Sequence, residues 1–255
     1  MKKIILRLDD VGASSKEFEL YSKRLIGNIL FLKKTPAFAA WGPYKELSGK
    51  DWLNIIDLLQ NFNAKMTVGI TACWVEAEGK LIPFFDKFPR QALIIKKAVK
   101  NDLIEVANHG LTHCVVGKHR PKLFRSNRNF HREFWNYLPK EVHYEHIENS
   151  QKILENYFGK VTTFIPPGYV WSSITEKAAL KYGIKYFCSN QSNAKKRFKD
   201  LIYIPDSKTF AVHDRDIVLN GIIWLKKKLI SLNKEGYRIT TVKNFVKNSK
   251  YQLAR

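Results

Sequence analysis

Cysteine, acidic side chains and long apolar runs are all scarce in this chain of 255 residues, and each scarcity excludes something. The three cysteines, Cys73, Cys114 and Cys188, are odd in number and far apart, so no disulfide framework is indicated and a reducing compartment suits them. No apolar run approaches the roughly 20 residues that a membrane-spanning helix needs. The early stretch Ile4-Ile5-Leu6 is broken at once by Arg7, too soon for the apolar core of a secretory signal. These absences predict a cytoplasmic protein whose contact with a membrane, if any, is peripheral. No glycine-rich dinucleotide fingerprint follows the first apolar run, where the chain reads Asp9-Asp10-Val11-Gly12-Ala13. Internal repeats, low-complexity segments, zinc-finger spacing, an aromatic RNA-recognition signature and a helix-turn-helix pattern are missing as well.

The shortage of acids leaves a large excess of positive charge. Lys and Arg number 44 against 23 Asp and Glu, which gives +21 and a pI near 9.8. Such a charge attracts anions at long range, among them nucleic acid, lipid headgroups and phosphorylated substrates, and says nothing about fold. A lysine-rich proteome would produce the same excess. The basic residues gather at Lys96, Lys97 and Lys100, from Lys118 to Arg128, at Lys195, Lys196, Arg197 and Lys199, and at Lys226 to Lys228. The second group, with Phe124 and Phe130 in or beside it, could bind single strands by stacking and phosphate contacts, but a solvated loop is the simpler reading. No specific nucleic-acid partner is expected.

What remains is an ordinary globular composition, 45% apolar and 26% charged, long enough for one domain over 1–255 with its own core. Short β-rich runs alternate with helical patterns. Strands are expected at Lys3 to Leu8, Ala64 to Thr71, Leu103 to Ala107, Val161 to Ile165, Ile184 to Cys188, Leu201 to Ile204, Thr209 to Val212 and Tyr237 to Val242. Helices are expected at Glu17 to Lys33, Lys50 to Asn61, Arg90 to Lys100, Glu141 to Phe158, Ser173 to Tyr182 and Ile217 to Leu232. Alternation of this kind implies a mostly parallel sheet, and the number of strands in one compact length favours a closed or partly closed (β/α) barrel over an open sheet. The longest irregular piece, Cys114 to about Lys140, is expected to run over the active face.

In such a fold the carboxyl ends of the strands share one rim, and the chemistry-bearing residues fall there. Asp9 and Asp10 end the first strand; His109 and His113 follow the third; His213 follows Thr209-Phe210-Ala211-Val212. Each has a plain structural reading when taken singly: an aspartate pair caps a helix, a histidine pair on a helical turn shares a face, and a lone histidine decorates a loop. Together they make a catalytic metal sphere of one aspartate, two histidines and an open position, with the neighbouring carboxylate left for proton transfer. A further loop, Phe164-Ile165-Pro166-Pro167-Gly168-Tyr169-Val170-Trp171, is stiffened by two prolines and carries aromatic residues suited to a sugar ring.

The order Asp-Asp, His-x-x-x-His, a proline-proline loop and a lone histidine after an apolar strand resembles the polysaccharide deacetylases of carbohydrate esterase family 4. The resemblance runs from Leu6-Arg7-Leu8-Asp9-Asp10 to the closing strand Glu235-Gly236-Tyr237-Arg238-Ile239-Thr240-Thr241-Val242. It implies an α/β fold, a single-domain irregular (β/α) barrel, and a metal-dependent N-deacetylase releasing acetate from an N-acetylated sugar. By position it implies Asp9 as general base, His213 as general acid and Asp10, His109 and His113 as ligands of a divalent ion, zinc by default. Pro167, Gly168, Tyr169 and Trp171 become substrate-binding residues, with a backbone N–H of that loop facing the oxyanion. A cytoplasmic location and a charge of +21 suit a nucleotide- or lipid-linked, phosphate-bearing sugar used in surface polysaccharide assembly.

The chain also departs from the pattern. Ile165 stands where the family commonly has an arginine, and strand alternation puts Arg7 on the same side as Asp9 as the available substitute. The tip order Gly168-Tyr169 is reversed, and no tryptophan-bearing motif lies between Cys188 and Pro205. Two other readings follow: a carbohydrate-binding protein without turnover, or another metalloenzyme such as a non-haem iron oxygenase, whose sites usually occupy antiparallel barrels.

Overall fold

One long strand organises the barrel. The computed structural model describes residues 2–18, 46–120, 128–189, 198 and 200–247. Within them β1 (Lys2–Val11) pairs in parallel with three strands: β10 (Tyr237–Thr240) along Lys2 to Ile5, β9 (Thr209–His213) along Ile5 to Asp9, and β2 (Met66–Ile70) on its opposite edge. The sheet continues from β2 through β5 (Ile104–Asn108), β6 (Thr163–Phe164), β7 (Tyr186–Cys188) and β8 (Ile202–Ile204), parallel at every pairing. Eight strands thus curl into a wall, and among the described residues no ladder joins β8 to β9. The expected irregular, partly closed (β/α) barrel is what the chain forms.

Alternation along β1 divides its side chains between two cores. Leu6 and Leu8 face outward and join Met66, Val68, Trp52 and Ile55 in the larger cluster beneath the helices. Ile5 faces inward with Ala107, Ile165, Cys188 and Ile204. A side chain buried as completely as Leu8 or Val68 stabilises the fold by about 1.5–3 kcal/mol. Arg7 and Asp9 lie on the side of Ile5, so the same alternation that builds the core also carries an ion pair into the barrel.

The covering helices begin and end where local chemistry dictates. Helix α2 (Gly49–Asn61) starts at a capping box between Ser48 and Asp51 and buries Trp52, Ile55 and Leu59 on one stripe. Helices α4 (Pro89–Lys100), α5 (Lys140–Phe158) and α6 (Ser173–Lys181) match the expected positions within one or two residues. The segment expected as one helix from Ile217 is two, α7 (Asp214–Asn220) and α8 (Ile222–Lys234), because Gly221 adopts φ 76° and ends the first. The expected last strand stops at Thr240, and α9 (Val242–Lys247) takes over. Four short elements carry too little periodicity to be read in advance: α1 (Ser15–Phe18), the hairpin of β3 (Cys73–Val75) and β4 (Leu81–Pro83), and α3 (Phe84–Lys87). Most of the helix expected from Glu17 to Lys33, the basic group Lys195 to Lys199 and much of Lys118 to Arg128 lie outside the described residues.

Candidate metal centre

Adjacent residues of a regular strand point to opposite faces, so Asp9 and Asp10 can address one site only if the strand is irregular. It is irregular there. The register between β1 and β2 shifts between Leu8 and Val11, and Asp10 sits at φ 69°, which swings its side chain back over the rim. The two histidines arrive by a loop rather than the helical turn that their spacing suggested. Gly110 at φ 81° and His113 at φ 57° break any helix, and both imidazoles still reach Asp10.

Nε2 of His109 lies 3.1 Å from Asp10 Oδ1, and Nε2 of His113 lies 3.2 Å from the same oxygen. The far side of each ring is fixed. His109 Nδ1 is 2.8 Å from the Ile165 carbonyl, an acceptor only, so the proton of the neutral ring resides on Nδ1 and the Nε2 lone pair points at the carboxylate. His113 Nδ1 is 3.1 Å from Ser15 Oγ. His113 Nε2 is buried without a hydrogen-bond partner, because its approach to Asp10 has the wrong angle for one. A lone pair and a carboxylate oxygen facing each other repel unless a cation or proton lies between them. The three donor atoms lie within 4.8 Å of one another, and their outer partners orient them as metal-binding histidines are oriented, so these residues fit a divalent ion. Burial pushes the Asp10 carboxyl up, but with a proton on the facing imidazole nitrogens the hydrogen bonds from His109 and His113 outweigh it and hold the group well below the usual carboxylate range.

Asp9, next to this cluster, is held from inside the barrel. Arg7 Nε lies 3.0 and 3.1 Å from its two oxygens and Nη2 lies 2.9 Å from Oδ2, with Arg7 fully buried. The same guanidinium donates to the Tyr169 hydroxyl, its Cζ standing 5.4 Å from that ring's centre. Arg7 therefore occupies the orienting role on β1, while Ile165 fills the barrel against Gly69. Burial lifts the Tyr169 phenol up to about 12.

His213 stands in register beside Asp9, with its Nδ1 3.5 Å from Asp216 Oδ2. Burial lowers its pKa, but Asp216 and then the charges of Asp10 and Asp9 lift it above the ordinary histidine value. In the proline loop, Pro167 has no N–H, and the N–H groups of Tyr169 and Val170 close onto the Pro166 and Pro167 carbonyls at 3.1 and 3.2 Å. The N–H of Gly168, at the exposed tip of the loop, makes neither of these bonds. Trp171 is partly buried: its ring meets Phe187 edge-on at 5.9 Å between centres, and it hydrogen-bonds Glu176.

Sequence reasoning missed three supports. Buried Lys16 donates to the Asp10 carbonyl and pairs with Asp214 and, at 3.2 Å, with Glu46, which fixes the strained turn. Asp216 backs His213, and a buried carboxylate, Glu133, lies beneath the histidine loop. Only the i, i+3 spacing of His213 and Asp216 left a signal that could have been found.

A curled parallel barrel with two histidines, two aspartates and a third histidine at the carboxyl ends of its strands defines a barrel with a metal-type site. The chain belongs to the polysaccharide deacetylase family, whose sequence profile matches residues 44–187. No curated protein matches it in sequence. Solved structures that resemble it include a putative polysaccharide deacetylase from Mycobacterium smegmatis, at TM-score 0.55 and 13% identity over 99% of this chain and 92% of that one. The family 4 carbohydrate esterase domain of a multidomain xylanase, from the hindgut metagenome of Trinervitermes trinervoides, gives 0.54 and 14% over 97% and 91%. A mutant of a family 4 pseudoenzyme with restored enzymatic activity gives 0.51 and 13% over 95% and 67%. At such identities the likeness is one of fold, and among these relatives is a pseudoenzyme, so activity has to be argued from the site.

Proposed function

We propose that this chain is a metal-dependent N-deacetylase that removes acetate from an N-acetylated sugar. The observation that supports it best is the convergence of Asp10 Oδ1 and the Nε2 atoms of His109 and His113 beside a second, separately oriented aspartate. A divalent ion held by Asp10, His109 and His113, zinc by default, would supply Lewis-acid polarisation of the amide carbonyl and acidify water at the site. The other roles fall to the chain. Asp9, fixed by Arg7, accepts the proton of the attacking water through a carboxylate lone pair that the guanidinium leaves open. Gly168 offers its N–H to the oxyanion, beside Pro167 and Tyr169. His213 carries the proton that the departing nitrogen takes as the C–N bond breaks, so water's oxygen leaves in acetate and the amine leaves protonated.

The charge of +21 favours a phosphate-bearing substrate, a nucleotide- or lipid-linked sugar for surface polysaccharide, over a neutral polymer. Arg132, lying against Gly168, would meet such a group at the rim. Three unpaired, buried cysteines suit the cytoplasm. Among the described residues no helix is long and apolar enough to cross a membrane. The test is acetate release from nucleotide- and lipid-linked N-acetylhexosamines by the zinc-loaded chain. His109→Ala is expected to abolish both zinc retention and acetate release. Unchanged release in that variant would end the assignment, and sugar affinity with no turnover under several metals would make the protein a carbohydrate-binding relative.

A further inference from the structure

We infer that Glu133 is the positioning residue of the histidine loop, a carboxylate that sets metal affinity without touching the metal. The inference rests on the metal reading of Asp10, His109 and His113. Glu133 comes from the irregular segment before α5 and is 1% exposed. Its Oε1 accepts the N–H of Leu111 at 2.9 Å; its Oε2 accepts those of Thr112 at 3.2 Å and His113 at 2.8 Å. The preceding N–H, of Gly110, goes to Asn108 Oδ1 at 2.9 Å. Four consecutive backbone donors, from Gly110 through the ligand His113, thus end on the side chains of Asn108 and Glu133 instead of on backbone carbonyls.

The loop is held on two sides. Its Gly110 and Leu111 carbonyls accept the N–H groups of Ala72 and Cys73 at 3.0 and 2.8 Å, while its own N–H groups, bent by positive φ at Gly110 and at His113, turn to the side chains of Asn108 and Glu133. The fit is tight at Gly110, where an added Cβ would collide with Glu133 Oε2. Both of these side chains are held from one helix. His146 Nδ1 on α5 lies 2.6 Å from Glu133 Oε1, and one turn later Ser150 and Gln151 take the Asn108 amide at 2.9 and 3.1 Å. Glu133 therefore stands to the His113 ligand as outer-sphere carboxylates stand to metal-bound histidines, except that it acts through the backbone N–H instead of the ring.

The test measures zinc affinity of the purified full chain by competition with a chromophoric chelator, together with the visible absorption of the cobalt-loaded protein. Glu133→Gln keeps the size but puts an N–H2 where a backbone donor must be accepted. It is expected to weaken zinc binding about 10- to 100-fold and to change the cobalt bands, with the apo far-UV circular dichroism retained. Glu133→Asp, which keeps the charge and shortens the reach, is expected to recover part of the loss. If Glu133→Gln does not fold, His146→Gln carries the test, with an expected loss of about three- to tenfold at an unchanged apo fold. Affinity and cobalt bands equal to wild type in every variant that folds would overturn the inference. Failure of the wild-type chain itself to bind zinc would instead overturn the metal reading.

Discussion

At the scale of single residues, the ion pair of Arg7 and Asp9 answers how an aspartate is oriented where Ile165 replaces the family's arginine. Two residues apart on a strand, the pair shares one face of β1, and both partners are buried. Removing the cation leaves a buried carboxylate uncompensated, which typically costs about 3–5 kcal/mol. Arg7→Gln is accordingly expected to lower stability by about that amount in urea unfolding and to reduce kcat at least about 10-fold in the protein that remains folded, since the base loses its fixed direction. His213 has a local partner too. Asp216 lifts its pKa, and the general acid proposed for His213 must be protonated to act, so Asp216→Asn should lower the His213 pKa and move the alkaline limb of the pH–rate profile to lower pH. An unshifted limb would assign the raised value to the other nearby charges. That Asp9, Asp10, His109, His113 and His213 gather at one rim was legible because strand ends are marked by apolar runs, and alternation alone pointed to Arg7. Glu133 and Lys16 were not legible, since a carboxylate or an amine in an irregular segment has no period to mark it. Trp171 was read as a sugar platform from its place in the loop; its side chain is partly buried against Phe187, a packing that neighbours distant in sequence set.

At the scale of elements, α5 does more than cover the sheet. Through His146, Ser150 and Gln151 it holds both side chains on which the histidine loop is moulded. This predicts a pH dependence of folding. Burial pulls the His146 pKa down, but its contact with Glu133 prevails and raises it above the ordinary 6.5. Burial likewise pushes Glu133 up, and His146 with the loop N–H groups brings it below the ordinary 4.5. A raised histidine stabilises the fold fully below its ordinary value and loses that contribution as pH climbs through the raised one; a lowered carboxylate contributes above its ordinary value. The pair therefore supports the apo protein most between about pH 4.5 and 6.5 and less above, which chemical denaturation at a series of pH values will show. His146→Gln should flatten the decline on the alkaline side, and an equally steep decline in the variant would assign it to other groups. The helix-and-strand alternation was readable, while the irregular elements were not: the turn at Asp10, the loop after His109 and the break at Gly221 all depend on positive φ, which hydrophobic pattern does not encode.

At the scale of the whole molecule, the barrel gathers chemistry from residues as far apart in sequence as Asp9 and His213, because parallel strands deliver their carboxyl ends to one rim. The architecture was legible from element order alone, and family membership agrees with it. The net charge of +21 acts at this scale as well, attracting anions at long range without choosing among them. What selects chemistry is the cluster at the rim, and the account depends on that cluster holding an ion. Anomalous diffraction at the zinc edge from crystals of the zinc-loaded protein tests this most directly. One peak is expected about 2.0–2.2 Å from Asp10 Oδ1 and from Nε2 of both His109 and His113, with Asp9 outside the coordination sphere. No peak at that position, or a peak coordinated by Asp9 in place of Asp10, would contradict the account.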